Sequence, residues 1–291
     1  MVETVPFTVF LETIGVLAAV TFMISSMLAM GFSLTLREIV EPLKNIRLVI
    51  LSLAANFVLV PLLALGILLI FPLSEGLSIG LFLLGIAAGA AFLPKLTQTA
   101  KGDTAFAVGL MVLLMVVTIV YVPIVLPLLL PGIGIDPWEI ARSLIMLLLI
   151  PLAIALFVRA RYKEVAEDLL PLMNQASNLA LLTLIVALFI VYFPALAGII
   201  GSTAILAAVT FVTISLVIGY VLGGPGRGTK RALAVGTAQR NISAALAVGT
   251  FNFTDPDVMV MILVVGIIGL ILLIFLAAEM GKLAVPASTS S

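Results

Sequence analysis

Residues 234–243 read Ala234-Val235-Gly236-Thr237-Ala238-Gln239-Arg240-Asn241-Ile242-Ser243, with four polar side chains within the five positions 237–241. They sit in the middle of an apolar stretch at about 231–250, long enough to cross a hydrocarbon layer of ~30 Å. Arg240 lies about nine residues from the nearer end of that stretch, roughly 13 Å deep at 1.5 Å per residue. A guanidinium facing lipid at depth costs at least ~2.5 kcal/mol, so it must face protein, water or a ligand. The segment therefore reads as an interrupted membrane helix built around a function.

A second interruption lies upstream. Residues 85–99 read Gly85-Ile86-Ala87-Ala88-Gly89-Ala90-Ala91-Phe92-Leu93-Pro94-Lys95-Leu96-Thr97-Gln98-Thr99. Pro94 has no N–H to donate and clashes with a preceding helical turn, and the glycines before it weaken the helix further.

Around these two segments, nine stretches are apolar enough to span, at about 9–31, 48–71, 77–100, 104–130, 140–158, 173–193, 199–222, 231–250 and 257–278. Each interrupted stretch is the third member of a group of four. The groups run over about 9–130 and 173–278, with the stretch at 140–158 linking them. Because the two groups enter from opposite sides, this is the hydropathy signature of an inverted repeat with one discontinuous helix per half. Backbone groups freed at such breaks are tolerated at membrane depth only where they line a cavity or bind something. Pro61, Pro123, Pro127 and Pro151 read as simple kinks. The whole of 1–291 reads as one all-α transmembrane domain with nine spans.

Composition agrees. Of 291 residues, 63% are hydrophobic and 10% charged, with fourteen basic and fourteen acidic side chains. A soluble domain carries roughly 25% charged residues, so a water-soluble globular enzyme is excluded. The balanced charge leaves no basic surplus for a nucleic-acid backbone. The chain has no Cys and no His, which removes thiol chemistry and the commonest metal ligand and general base. No Ser–Lys pairing or acidic pair shares one depth, so the chain does not read as an enzyme, and no metal ligand set or cofactor motif is found.

Lys and Arg set orientation, being retained on the cytoplasmic side. Arg37, Lys44, Arg47, Lys101, Arg159, Arg161, Lys163, Arg227, Lys230, Arg231 and Lys282 all fall on one face of a nine-span arrangement. Glu75, Asp136, Glu139, Asp255 and Asp257 fall on the other, with Arg142. This places the N-terminus outside and the C-terminus in the cytoplasm of a cell-membrane protein.

Several segments resemble the bile acid:sodium symporter family. Met30-Gly31-Phe32-Ser33-Leu34-Thr35 is similar to its Met-Gly-Leu-x-Leu-Thr, and Asn56-Phe57-Val58-Leu59-Val60-Pro61 to its Gln-Phe-x-x-Met-Pro. Ala100-Lys101-Gly102-Asp103 resembles the stretch after its first broken helix. Gly236-Thr237-Ala238-Gln239-Arg240-Asn241 stands where the family has Glu-Val-Gly-Met-Gln-Asn. The resemblance runs from about residue 20 to the end. It implies a panel domain beside a core domain whose two broken helices cross, in a nine-span form, and sodium-coupled transport of an organic anion.

The departures bear on sodium. By the same resemblance, Gly236 replaces a sodium-binding carboxylate and Arg240 a glutamine. A Ser-Asn pair falls at Leu93-Pro94, and Ala107 and Met111 stand for hydroxyl ligands. Asn56 takes the place of a glutamine and keeps a carbonyl. A fixed cation repels a second one ~4 Å away by about 4 kcal/mol at an effective dielectric of 20. Sodium at the usual sites is therefore not expected. Changing Arg240 to Gln together with Gly236 to Glu is the change expected to restore it.

Two readings stand for Arg240: a planar fork holding a substrate anion, or a permanent internal cation neutralising helix C-terminal carbonyls. Lys95 either reaches the central site or snorkels to the interface. Asn56, Pro94, Thr97, Gln98, Gln239, Asn241 and Ser243 are candidate site groups, although hydroxyl and amide side chains also bond between packed membrane helices. Asn174, Gln175, Ser177 and Asn178 read as interfacial. The function expected is secondary transport of a small organic anion. A passive anion channel or facilitator and a receptor-like membrane module are the alternatives. Substrate identity and oligomeric state are not written in the sequence.

Overall fold

The computed structural model describes residues 7–129, 136–191, 193 and 202–283, and among them only helices, turns and connecting segments occur. Among the described residues, seven helices are long and apolar enough to cross a membrane. They are α1 (Phe7–Ser33), α2 (Ile46–Ile70), α5 (Thr104–Leu129), α6 (Pro137–Arg161), α7 (Lys163–Val191), α8 (Thr203–Leu222) and α11 (Pro256–Lys282). A short helical connection over Leu36–Val40 and Glu41–Lys44 joins α1 to α2. Four further short helices come in two consecutive pairs: α3 (Glu75–Ile86) with α4 (Leu93–Thr99), and α9 (Arg227–Ala238) with α10 (Ile242–Asn252). The chain is an all-α, multi-pass membrane protein, interrupted at the two places where its sequence turns polar or glycine- and proline-rich.

Local chemistry explains the boundaries. Ser74 caps α3 by accepting from the Leu77 N–H, and Asp255 caps α11 with Pro256 at the first helical position, where a missing N–H costs nothing. Pro94 has the same role in α4. It does not break a helix that is already running; it opens the second half after residues 87–92 have left the helix. Pro61 acts differently. Having no N–H, it leaves the Phe57 carbonyl without its helical partner, and the Tyr121 hydroxyl donates to that oxygen at 2.6 Å. Helix α2 widens to a π turn over Ala55–Leu59 just before this point, and α6 does the same over Ile145–Leu149 before Pro151. Proline explains both irregularities.

Helix α7 starts at Lys163, ten residues before the apolar stretch at 173–193. Its first turns, Lys163-Glu164-Val165-Ala166-Glu167-Asp168, are too charged to count as membrane-spanning by hydropathy, yet they are helical. Arg159 pairs with Glu167 at 2.9 Å across the α6–α7 turn. Helices α1, α6 and α7 pack mainly on one another, while α8 packs on α9 and α11 along α3. Small residues permit the close approaches that hold helices together in lipid. A Cβ at Gly80, for instance, would lie 2.6 Å from the Val258 carbonyl of α11.

Charge segregates to two ends. At one, Arg231 donates to the Lys101 carbonyl at 3.3 Å, the Asp103 N–H bonds the Gly228 carbonyl at 3.0 Å, and Gly281 rests on the Thr99 carbonyl. At the other, Ser74 donates to Asp257 at 2.7 Å and Thr203 to the Pro72 carbonyl at 3.1 Å. Lys101 and Arg231 thus share one contact cluster and Asp257 belongs to another.

Candidate transport site

The two interruptions meet. In the first, the α3 helix ends when the Ala87 N–H bonds the Leu83 carbonyl; Ala87 is extended, and Ala88 and Gly89 lie outside any helix. Their polar groups need partners at membrane depth. Thr118 of α5 meets Ala88 on both sides: its hydroxyl accepts from the Ala88 N–H at 2.9 Å and donates to the Ala88 carbonyl at 3.0 Å. Asn241, from the second interruption, supplies the rest. Its backbone N–H donates to Ala87 at 3.0 Å, and its side-chain amide to the Ala88 and Gly89 carbonyls at 3.3 and 3.1 Å. The Asn241 carbonyl oxygen turns the other way and caps α10 through the Ala244 N–H at 3.0 Å. Gly89 has a φ of +85°, and a Cβ there would lie 2.7 Å from Met111 O and Met115 Cα of α5. Only glycine fits.

Arg240 is buried at the junction, and among the described residues it is the one buried charged side chain. Its Nε donates to the Leu84 carbonyl at 2.8 Å and its Nη2 to Gly85 at 3.0 Å, both in the last turn of α3. Its Nη1 donates to the Thr237 carbonyl at 3.0 Å, in the last turn of α9, and to Asn56 Oδ1 at 2.8 Å. Carbonyls at helix C-termini lack intrahelical donors and carry partial negative charge. One guanidinium serves the ends of two helices. Asn56 sits in the π turn of α2, and its amide nitrogen bonds Ser52 O at 3.0 Å and Thr237 Oγ1 at 3.3 Å.

A cavity of about 640 Å³ opens beside this junction. Phe92, Pro94 and Lys95 line one side, Gln239, Arg240, Asn241 and Ser243 the second, and Ser26, Met30 and Ser33 of α1 a third. Asn174, Ser177 and Asn178 of α7 close it. These three, read from the sequence as interfacial, line the cavity wall. With α7 beginning at Lys163, Asn174 stands eleven residues in, roughly 16 Å along the helix. Lys95 is exposed to the cavity, and no ion pair forms with it among the described residues.

The candidates thus divide. Pro94, Lys95, Gln239, Arg240 and Asn241 share the cavity wall. Asn56 lies behind Arg240, and Thr97 faces Gly102, whose added Cβ would come 2.8 Å from Thr97 Cγ2. Gln98 is exposed and Ser243 buried. The buried Gln239 Oε1 has no hydrogen-bond partner among the described residues. Gly236 faces elsewhere: a Cβ there would sit 3.1 Å from Leu93 and Leu110 side-chain carbons. Space, not backbone freedom, keeps it glycine, and a Glu at 236 would enter leucine packing. Thr118 and the α7 amides were not legible as site residues, since nothing local distinguishes them from ordinary helix-packing groups.

An interrupted-helix pair around a central cavity defines a membrane transporter architecture. The model of the sodium bile acid symporter family matches residues 20–199, more than half of the chain, and the chain belongs to that family. Its members are transporters. The match ends before the second interruption, so Arg240 lies outside it while its partners Asn56, Leu84 and Gly85 lie within it. A comparison with curated proteins finds no match.

Proposed function

We propose that this chain is a nine-span secondary transporter that moves a small organic anion with an apolar body by alternating access. The observation that carries the reading is the cavity where both interruptions meet, walled by Lys95, Gln239 and the α7 amides but otherwise largely apolar. Lys95 supplies charge for a carboxylate or sulfate, and Met30, Leu34, Met111 and Leu273 supply an apolar surface for the body. Helices α1–α5 and α7–α11 are the two halves of an inverted repeat, each with its third crossing interrupted, and α6 links them.

The basic end is cytoplasmic by the positive-inside rule, with the N-terminus outside and the C-terminus inside the plasma or inner membrane. The cavity walls come from the Ser33 half of α1, the Thr104 end of α5, mostly the Lys163 half of α7 and the middle of α11. This is the basic half, so the conformation is open to the cytoplasm. Rocking of α1, α6 and α7 against the remaining helices would close it there and open it outside.

The test is uptake of a radiolabelled panel of carboxylates and organosulfates into proteoliposomes under an imposed ion or counter-anion gradient. Accumulation above the external concentration is expected. Equilibration without accumulation would make the protein a facilitator and defeat the secondary-transport reading.

A further inference from the structure

A sodium-coupled carrier needs a nest of hard oxygen ligands with enough negative charge to repay dehydration of the ion. The junction here has the oxygens: the Leu84 and Gly85 carbonyls, the Thr237 carbonyl and Asn56 Oδ1 converge on one point. All four, however, already accept from Arg240. No carboxylate compensates, because no Asp or Glu is buried among the described residues. The place where a carboxylate would come from the same helix is Gly236, which packs on Leu93 and Leu110 instead. The donor set does not fit a sodium ion while the guanidinium is present.

We infer that Arg240 is a resident cation, covalently installed where a bound sodium ion would otherwise hold the ends of α3 and α9 together, so that the protein folds and cycles without sodium. The physical requirement at this point is positive charge against two helix C-termini. A sodium ion meets it reversibly and couples its own gradient to the cycle. A guanidinium meets it permanently, with planar donors matched to carbonyls on three different helices. The two interrupted helices are then locked to α2 and to each other as one rigid body in every state of the cycle. The cavity face of the junction is left to the substrate, and Arg240 has spent four of its five N–H groups on the protein. Lys95 is the cation left for the anion. The geometry stands by itself; only its consequence for coupling rests on the transporter reading above.

The experiment is thermal unfolding of the purified full chain in detergent, with sodium chloride exchanged for choline chloride at constant ionic strength. A specific cation at about 100-fold its dissociation constant raises a melting temperature by roughly 5–10 °C. The unmodified protein is expected to melt at the same temperature in both salts. Arg240→Gln removes the resident cation and leaves the four oxygens without a compensating charge, so this variant should melt below the unmodified protein in both salts. A sodium-specific rise in the unmodified protein overturns the inference, and so does a folded Arg240→Gln variant that melts with the unmodified protein in choline. The unmodified comparison decides the matter even if Arg240→Gln does not fold. Neither salt measurement involves substrate, so a failure here leaves the uptake test above untouched, and the reverse holds too.

Discussion

Arg240 Nη1 and Asn56 Oδ1 lie 2.8 Å apart, joining α2 to the second interruption across 184 positions of sequence. The Asn56 amide continues the chain of bonds to Thr237 and Ser52. A hydrogen bond to a charged group contributes about 1.5–3 kcal/mol. Asn56→Leu should therefore lower stability by about that amount, read as a lower unfolding midpoint. Asn56→Asp keeps the acceptor and adds a charge facing Arg240 but loses the donor to Ser52 O, so its midpoint should fall less than that of Asn56→Leu.

Arg240→Met removes the donor and leaves four buried acceptors unserved. The cost is comparable to breaking a buried ion pair, roughly 3–5 kcal/mol. Transport in proteoliposomes should be lost, and the fraction of monodisperse protein on size exclusion should fall with it. Normal uptake by Arg240→Met would show that the junction does not depend on the guanidinium.

Lys95 predicts the opposite split. It is exposed to the cavity and unpaired among the described residues, so Lys95→Gln should leave the unfolding midpoint within about 1 °C while weakening anion uptake. Lys95→Arg should keep uptake. A Lys95→Gln variant with unchanged affinity for every transported anion would remove this residue from the site.

Two glycines test close packing against conformational freedom. Gly89→Ala adds a methyl against the α5 backbone at a φ of +85°, a conformation that costs an L-residue roughly 1–2 kcal/mol before any clash. It should reduce the yield of folded protein sharply. Gly66→Ala in α2 meets nothing within 4 Å and should leave the midpoint unchanged or raise it.

Topology is open to chemical labelling, because the chain has no Cys. Gly228→Cys is tolerated by packing, since an added Cβ there has its nearest neighbour 3.4 Å away. The new thiol should react with an impermeant maleimide only from the cytoplasmic side. Labelling of that position in intact cells would reverse the orientation or break the nine-span arrangement.

The amino-acid sequence by itself determined the features that depend on local composition. Apolar runs of membrane length, polar clusters at 237–241 and the Gly- and Pro-rich segment at 85–94 placed the helices and both interruptions, because water-to-lipid transfer and helix propensity act over one or two turns. The segregation of eleven basic residues was equally local. Only the tertiary structure decided what the polar residues do. Arg240 donates to the carbonyls of Leu84 and Gly85, more than 150 positions away, a pairing that no local pattern announces. Thr118, 30 positions from Ala88, looked like any threonine in a membrane helix until the break was folded against it. That Asn174, Ser177 and Asn178 line the cavity was likewise decided by packing, because the charge at Lys163–Asp168 resembles a loop by hydropathy although it is helical. A buried polar group is satisfied by whatever the fold brings within about 3 Å, and that proximity is a property of packing, which no local pattern encodes.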